Sequence, residues 1–163
     1  MRLLIIRHGI AVERGADGIT DDERPLTAEG EKKFRRAARG LARIEDPPAE
    51  VLTSPLPRAR KTAEIAAEAW GGVAVTDTAA LVDGDLEALE QALTRHPAEA
   101  TVAVVGHEPH VSALLGHLLG TAADDRLGFK KGGVALVELH GELDQGGQLL
   151  WFAPPRILRE LAD

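Results

Sequence analysis

The chain of 163 residues contains no cysteine, which excludes disulfides, thiolate nucleophiles and cysteine-ligated metals at once. Tyrosine is missing too, and aromatic residues make up only 3%, against the exposed rings on which single-stranded nucleic acids stack. Positive charge is not in excess. The formal net charge of -7 opposes any broad attraction to nucleic acid or to an anionic membrane. Long apolar runs are lacking as well. Met1-Arg2 leads into four clearly apolar residues, Leu3 to Ile6, short of the ~7 of a signal-peptide core. No run nears the ~20 residues of a membrane span. The expectation is a cytoplasmic protein with no nucleic-acid and no membrane partner; its oligomeric state stays open. The remainder, 44% hydrophobic and 28% charged, has the balance of an ordinary globular protein. The length suits a single domain over residues 1–163.

The apolar stretches that do exist are short and evenly spaced. Leu3 to Ile6 reads as a strand buried on both faces, and it runs into Arg7-His8-Gly9. Thr27 is a candidate N-cap for a helix from Ala28 to Ile44, with Phe34, Ala37, Ala38, Leu41 and Ile44 on one face. Gly30 in its first turn costs about 1 kcal/mol against Ala, which marks a place where another stretch of backbone comes close. Val51 to Ser54 is a second strand, and Pro55-Leu56-Pro57-Arg58 opens a helix from Ala59 to Trp70. Val73 to Val75 is a further strand, Leu81 to Gly84 a turn, and Asp85 caps a helix ending near His96-Pro97. Thr101 to Val105 is a third buried strand, running into Gly106-His107-Glu108-Pro109 and a helix to about Leu119. Val134 to Leu139 and Gln148 to Phe152 form a hairpin, followed by a short terminal helix. Strands alternating with helices predict an α/β fold, a three-layer α/β/α sandwich. Its sheet is mainly parallel, with an antiparallel edge hairpin.

Three of these strand ends carry related chemistry: Arg7-His8-Gly9, Ser54 to Arg58, and Gly106-His107. Ligands of open α/β sheets gather at the carboxyl ends of strands. Two arginines and two imidazoles brought together there would make a compact cationic pocket whose guanidinium forks match phosphate oxygens. Arg-His-Gly by itself would equally be a cationic turn after a buried strand. The three together are harder to dismiss.

On these motifs the chain resembles the histidine phosphatase superfamily, with the phosphoglycerate mutase-like fold. The resemblance rests on Arg7-His8-Gly9, on Ser-Pro-Leu-x-Arg-Ala-x-x-Thr from Ser54 to Thr62, and on Gly106-His107, in that order. Arg-His-Gly-x-Ala from Arg7 to Ala11, Arg-Pro-Leu-Thr-x-x-Gly from Arg24 to Gly30, and the short length resemble the small SixA-type phosphohistidine phosphatases in particular. The resemblance implies a covalent phosphohistidine on His8, with Arg7, Arg58 and His107 binding the phosphoryl oxygens. Arg24 is a further candidate beside the site. It implies no metal and no other cofactor, because the arginines neutralise the charge. It also implies a substrate borne on a phosphorylated protein such as a histidine phosphotransfer domain. The alternatives are a phosphatase of small phosphate esters or short polyphosphates, and a non-catalytic anion-binding module. A mutase fits less well, since the chain has little room for the insertions that would enclose a sugar acid.

The general acid is where the motifs part company. Ile10 follows Gly9 where many larger relatives have Glu. Asp83 and Asp85 lie in roughly the right stretch for the acid, although Leu-Val-Asp-Gly-Asp does not match the usual motif; Asp83 is the first choice, with Asp22, Glu23 and Glu108 as other possibilities. Without an acid, substrates with good leaving groups such as phosphohistidine, acyl phosphate or phosphoanhydride are favoured. His107, His110 and His117 lack the spacing of a zinc site; His110 and His117 fall near one helix face without a third ligand and read better as a solvated or core-edge pair. Ser54 has no nucleophile elbow around it. Arg35, Arg36, Arg39 and Arg43 read as a solvated helix face, and Lys130-Lys131-Gly132-Gly133 as a basic glycine turn, with the rim of the pocket as its alternative.

Overall fold

The structure is a computed structural model describing residues 1–122 and 125–163. Six strands form one sheet: β1 (Arg2–Arg7), β2 (Glu50–Thr53), β3 (Val75–Asp77), β4 (Thr101–Gly106), β5 (Val134–Leu139) and β6 (Gly147–Ala153), in the order β3-β2-β4-β1-β5-β6. β3, β2, β4 and β1 are mutually parallel, while β5 and β6 complete the sheet antiparallel. The helices are α1 (Ala28–Ile44), α2 (Pro57–Ala69), α3 (Ala80–Asp83), α4 (Leu86–Leu93), α5 (His110–Leu118) and α6 (Pro155–Glu160).

The alternation of side chains along each strand divides the core in two. Leu3, Ile5, Val102 and Val104 face the layer that contains α3, α4 and α5. Leu4, Ile6, Ala103 and Val105 face the layer of α1, α2 and α6. The expected three-layer arrangement is the observed one. β1, fully buried from Leu3 to Ile6, lies between β4 and β5. Arg7 and His8 therefore emerge in the interior of the sheet edge, beside Gly106 and His107.

Local signals that act over one turn hold closely. Thr27 Oγ1 accepts from Gly30 N at 2.9 Å and Asp85 Oδ1 from Ala88 N at 3.0 Å, the caps expected for α1 and α4. Elsewhere tertiary pairing moves the boundaries. β3 covers Val75–Asp77 instead of Val73 to Val75, because Gly71 and Gly72 have positive φ and Val73 N is still bonded to Ala67 O. The expected turn at Leu81 to Gly84 is the short helix α3, closed by Gly84 at φ 73. α4 stops at Leu93, well before His96-Pro97. Ile44, assigned to the inward face of α1, is 43% exposed. Among the described residues no helix is long and apolar enough to cross a membrane.

Candidate active site

Each functional side chain is set by the strand it follows. His8 N donates to Gly106 O and Gly132 N donates to His8 O, which holds the residue between β4 and the turn before β5. Arg58 lies in the first turn of α2, where Thr62 Oγ1 donates to its carbonyl and accepts from Gly9 N. A single threonine thus ties the backbone after His8 to the helix that carries Arg58. Arg7 Nη1 donates to Phe129 O at 2.6 Å, and Phe129 N donates to Glu108 Oε1. Glu108 in turn accepts from Ser112 through its other oxygen. Its carboxylate is a strut under Arg7.

The two imidazoles face each other, with ring centroids 5.1 Å apart and planes tilted by 56°. His8 Nδ1 lies 2.7 Å from Gly9 O. A carbonyl can only accept, so Nδ1 carries the proton and Nε2 keeps its lone pair. Burial pushes the His8 pKa down to about 3, against the pull of the Gly9 carbonyl and with help from His107, Arg58 and Arg7. Burial likewise lowers His107 to about 4, with Arg58 and His110 adding to the effect. Both rings are neutral at physiological pH, and His8 is a free base. Arg7 and Arg58 are also drawn below their ordinary value, chiefly by burial, yet a guanidinium keeps its charge in proteins.

Three buried polar atoms of this cluster have no hydrogen-bond partner: Arg7 Nε, Arg58 Nε and His107 Nδ1. Buried donors are normally satisfied, and a tetrahedral anion seated between the rings and the guanidiniums is a chemically suitable acceptor. His107 Nε2 is engaged by Ser54 Oγ at 2.8 Å, and that hydroxyl also accepts from Leu56 N. Ser54 therefore serves as a support for His107.

A carboxylate paired with Arg58 was not among those suggested by the sequence. Asp21 accepts from Arg58 Nη1 through its backbone carbonyl at 2.8 Å, and its side chain lies 3.5 Å from Arg58 Nη2. Arg24, 8% exposed, donates to Asp21 Oδ1 at 2.8 Å and to Val12 O. It stands behind Arg58, joined to it through Asp21. Partial burial acts to raise the Asp21 pKa, but the hydrogen bond from Arg24 and the charges of Arg24, Arg14 and Arg58 hold it below the usual carboxylate value. Asp21 is thus a poor proton donor. Asp83 ends α3, exposed, with no side-chain hydrogen bond among the described residues. Glu23 is turned to Thr20, and both oxygens of Glu108 are engaged. Nothing in Asp21-Asp22-Glu23 singles out the first member by sequence; only the path of the loop does.

The other histidines lie apart from this cluster or at its margin. His96 pairs with Glu50 at 2.8 Å and His117 with Asp144 at 3.0 Å, while the His110 ring abuts Gly84.

The lowered imidazole pKa values carry a stability prediction. Between about 6.5 and about 4 the unfolded chain binds protons that the folded chain refuses on His8 and His107. Stability is therefore full above 6.5 and falls as pH drops, by up to about 1.4 kcal/mol per pH unit for each group. Urea unfolding at pH 7, 6 and 5 should show this decline, and a flat profile over that range would contradict the buried neutral imidazoles.

With this geometry in place, similarity to known proteins is informative. The family model of the histidine phosphatase superfamily (branch 1) matches residues 3–92. An uncharacterized protein of Picosynechococcus sp. is 36% identical over 137 residues, 82% of each chain. The structure of the protein histidine phosphatase SixA complexed with tungstate superposes with a TM-score of 0.81 at 28% identity, covering 97% of this chain and 99% of that one. Mycobacterial glucosyl-3-phosphoglycerate phosphatase, at 16% identity, shares the fold with a TM-score of 0.71 over 94% of this chain and 98% of its own. The fold and the family match define the class: the chain belongs to the histidine phosphatase superfamily, and it is a phosphatase. Within that class it is similar to the SixA phosphohistidine phosphatases.

Proposed function

We propose that the protein removes the phosphoryl group from phosphohistidine in a signalling or phosphotransfer protein, through a covalent intermediate on His8 and without a metal ion. The observation that carries this reading is a neutral His8 with Nδ1 bonded to Gly9 O, beside the unpartnered atoms of Arg7, Arg58 and His107. The Nε2 lone pair of His8 attacks phosphorus, and the bond from phosphorus to the leaving group breaks with its electrons on that group. Arg7, Arg58 and His107 stabilise the charge on the phosphoryl oxygens. Water then attacks the phosphorus of phospho-His8, the P–N bond electrons return to Nε2, and the water proton passes to the released phosphate or to solvent. The tungstate carried by the SixA relative, a tetrahedral oxyanion, agrees with such a pocket.

The poor acidity of Asp21 favours substrates whose leaving group brings its own proton, as the imidazole of a phosphohistidine does when its ring is protonated before attack and departs as neutral imidazole. A phosphohistidine-bearing phosphotransfer domain should therefore turn over much faster than an alkyl phosphate such as 3-phosphoglycerate, and EDTA should not slow it. A preference for the alkyl ester would overturn the reading, make a small-ester phosphatase the better one, and make Asp83 the acid to test by Asp83→Asn. Arg58→Ala should lower kcat/KM by about 3–4 kcal/mol, the size seen when a preorganised charge-stabilising donor is lost. A tenfold loss or less in the same assay would remove Arg58 from that role.

A further inference from the structure

Six basic side chains that are scattered in sequence, Arg7, Lys33, Lys130, Lys131, Arg156 and Arg159, line one cleft of about 590 Å³ between α1, the turn before β5 and the start of α6. No acidic residue lines it. Glu29 reaches Lys33 at 3.7 Å and Glu160 reaches Arg156 at 3.1 Å, both in exposed pairs of little strength. Lys130, Lys131 and Arg159 have no ion pair among the described residues. In a chain of net charge -7, a cleft whose charged lining residues are all cationic runs against the global balance and focuses its field on an anionic partner. Phe34, Pro154 and Pro155 add apolar surface between the charges, which suits a polypeptide better than a bare polyanion.

The cleft is joined to the candidate active site. Arg7 belongs to both, and Gly132 N donates to the carbonyls of Arg7 and His8. That pins the Lys130-Lys131 turn beside the end of β1. We propose that this cleft docks an acidic polypeptide segment next to the phosphorylated residue of a protein substrate, an inference that rests on the phosphoprotein reading above. Such a site would steer the partner electrostatically and leave the phosphoryl group at the strand ends.

The test is a binding titration with a fluorescein-labelled peptide of alternating Glu and Leu blocks that carries no phosphate. The wild type should bind it with a Kd that weakens as salt rises. Lys130→Glu together with Lys131→Glu should raise that Kd at least tenfold. Arg95→Glu, an exposed charge between α4 and β4, should change it less than twofold. Equal effects from the two changes, or none from the lysine pair, would overturn the proposal. So would weakened binding of short polyphosphate with peptide binding intact, which would give the cleft to a free polyanion. In turnover, the ratio of kcat/KM for the phosphotransfer domain over p-nitrophenyl phosphate should fall at least tenfold in the lysine variant. A wild type that binds the peptide through these lysines yet hydrolyses no phosphoprotein would refute the phosphoprotein reading and leave the docking assignment standing.

Discussion

His8→Ala is expected to reduce hydrolysis of phosphohistidine by roughly three orders of magnitude or more, because it removes the atom that forms the bond to phosphorus. The cationic pocket survives in this variant, so phosphate binding should survive with it. Structural cost should be small. The imidazole is buried among positive neighbours that oppose its protonation, and what is lost is one hydrogen bond to Gly9 O, about 1 kcal/mol. Quenching wild type during turnover with denaturant at alkaline pH should trap a phosphoryl group on nitrogen, labile to acid and stable to base, and the variant should trap none. The variant should also lose part of the pH dependence of unfolding, since one of the two buried imidazoles is gone. Substantial turnover by His8→Ala, or a phosphoryl group trapped on another residue, would sink the mechanism.

The second large effect concerns two glycines in α1. Helix propensity alone says that Ala in place of Gly should stabilise a helix by about 1 kcal/mol. The opposite sign is expected here. A Cβ on Gly30 would lie 2.1 Å from Ile10 O, and one on Gly40 would lie 1.8 Å from Leu158 O. Both obstacles are backbone, so neither can swing aside. Each Ala variant should lose about 1–3 kcal/mol net by overpacking, a fall in Tm of roughly 3–10 °C for a chain of this size. Their effects on turnover should differ. Ile10 O accepts from Thr27 N and lies just after Arg7-His8-Gly9, so Gly30→Ala should lower kcat as well. Gly40→Ala should separate α6 from α1 and leave kcat largely unchanged at temperatures where the variant is folded. A rise in Tm for either change would mean that propensity outweighs the close approach.

Gly30 also shows how far the sequence could be read. Its cost inside a helix that was otherwise well capped pointed to a neighbouring backbone, but not to which one. The partner, Ile10, comes from the loop that follows β1, and no local rule links the two. Ile44 went the other way. Its helical spacing placed it on the inward face, yet periodicity specifies a face and not how far the element covering that face extends. Asp21 is the clearest case. An acidic residue in a run of acidic residues carries no signal, and its bonds to Arg24 and Arg58 depend on how the loop folds back over the pocket. The cationic cleft is of the same kind: its six basic residues come from four separate parts of the chain.

By itself the sequence determined the layered α/β architecture, because strand burial and helical periodicity are properties of a few neighbouring residues. It also determined that Arg7, His8, Arg58 and His107 would meet, since Arg7 ends a strand, His8 and His107 directly follow one, Arg58 opens the helix after another, and parallel strands end at one edge. Only the tertiary structure decided the protonation of the imidazoles, the bond partners of the guanidiniums and the company of Asp21. Those depend on burial and on contacts at long sequence separation, where the dielectric and the geometry are made by the whole fold and not by the residues nearby.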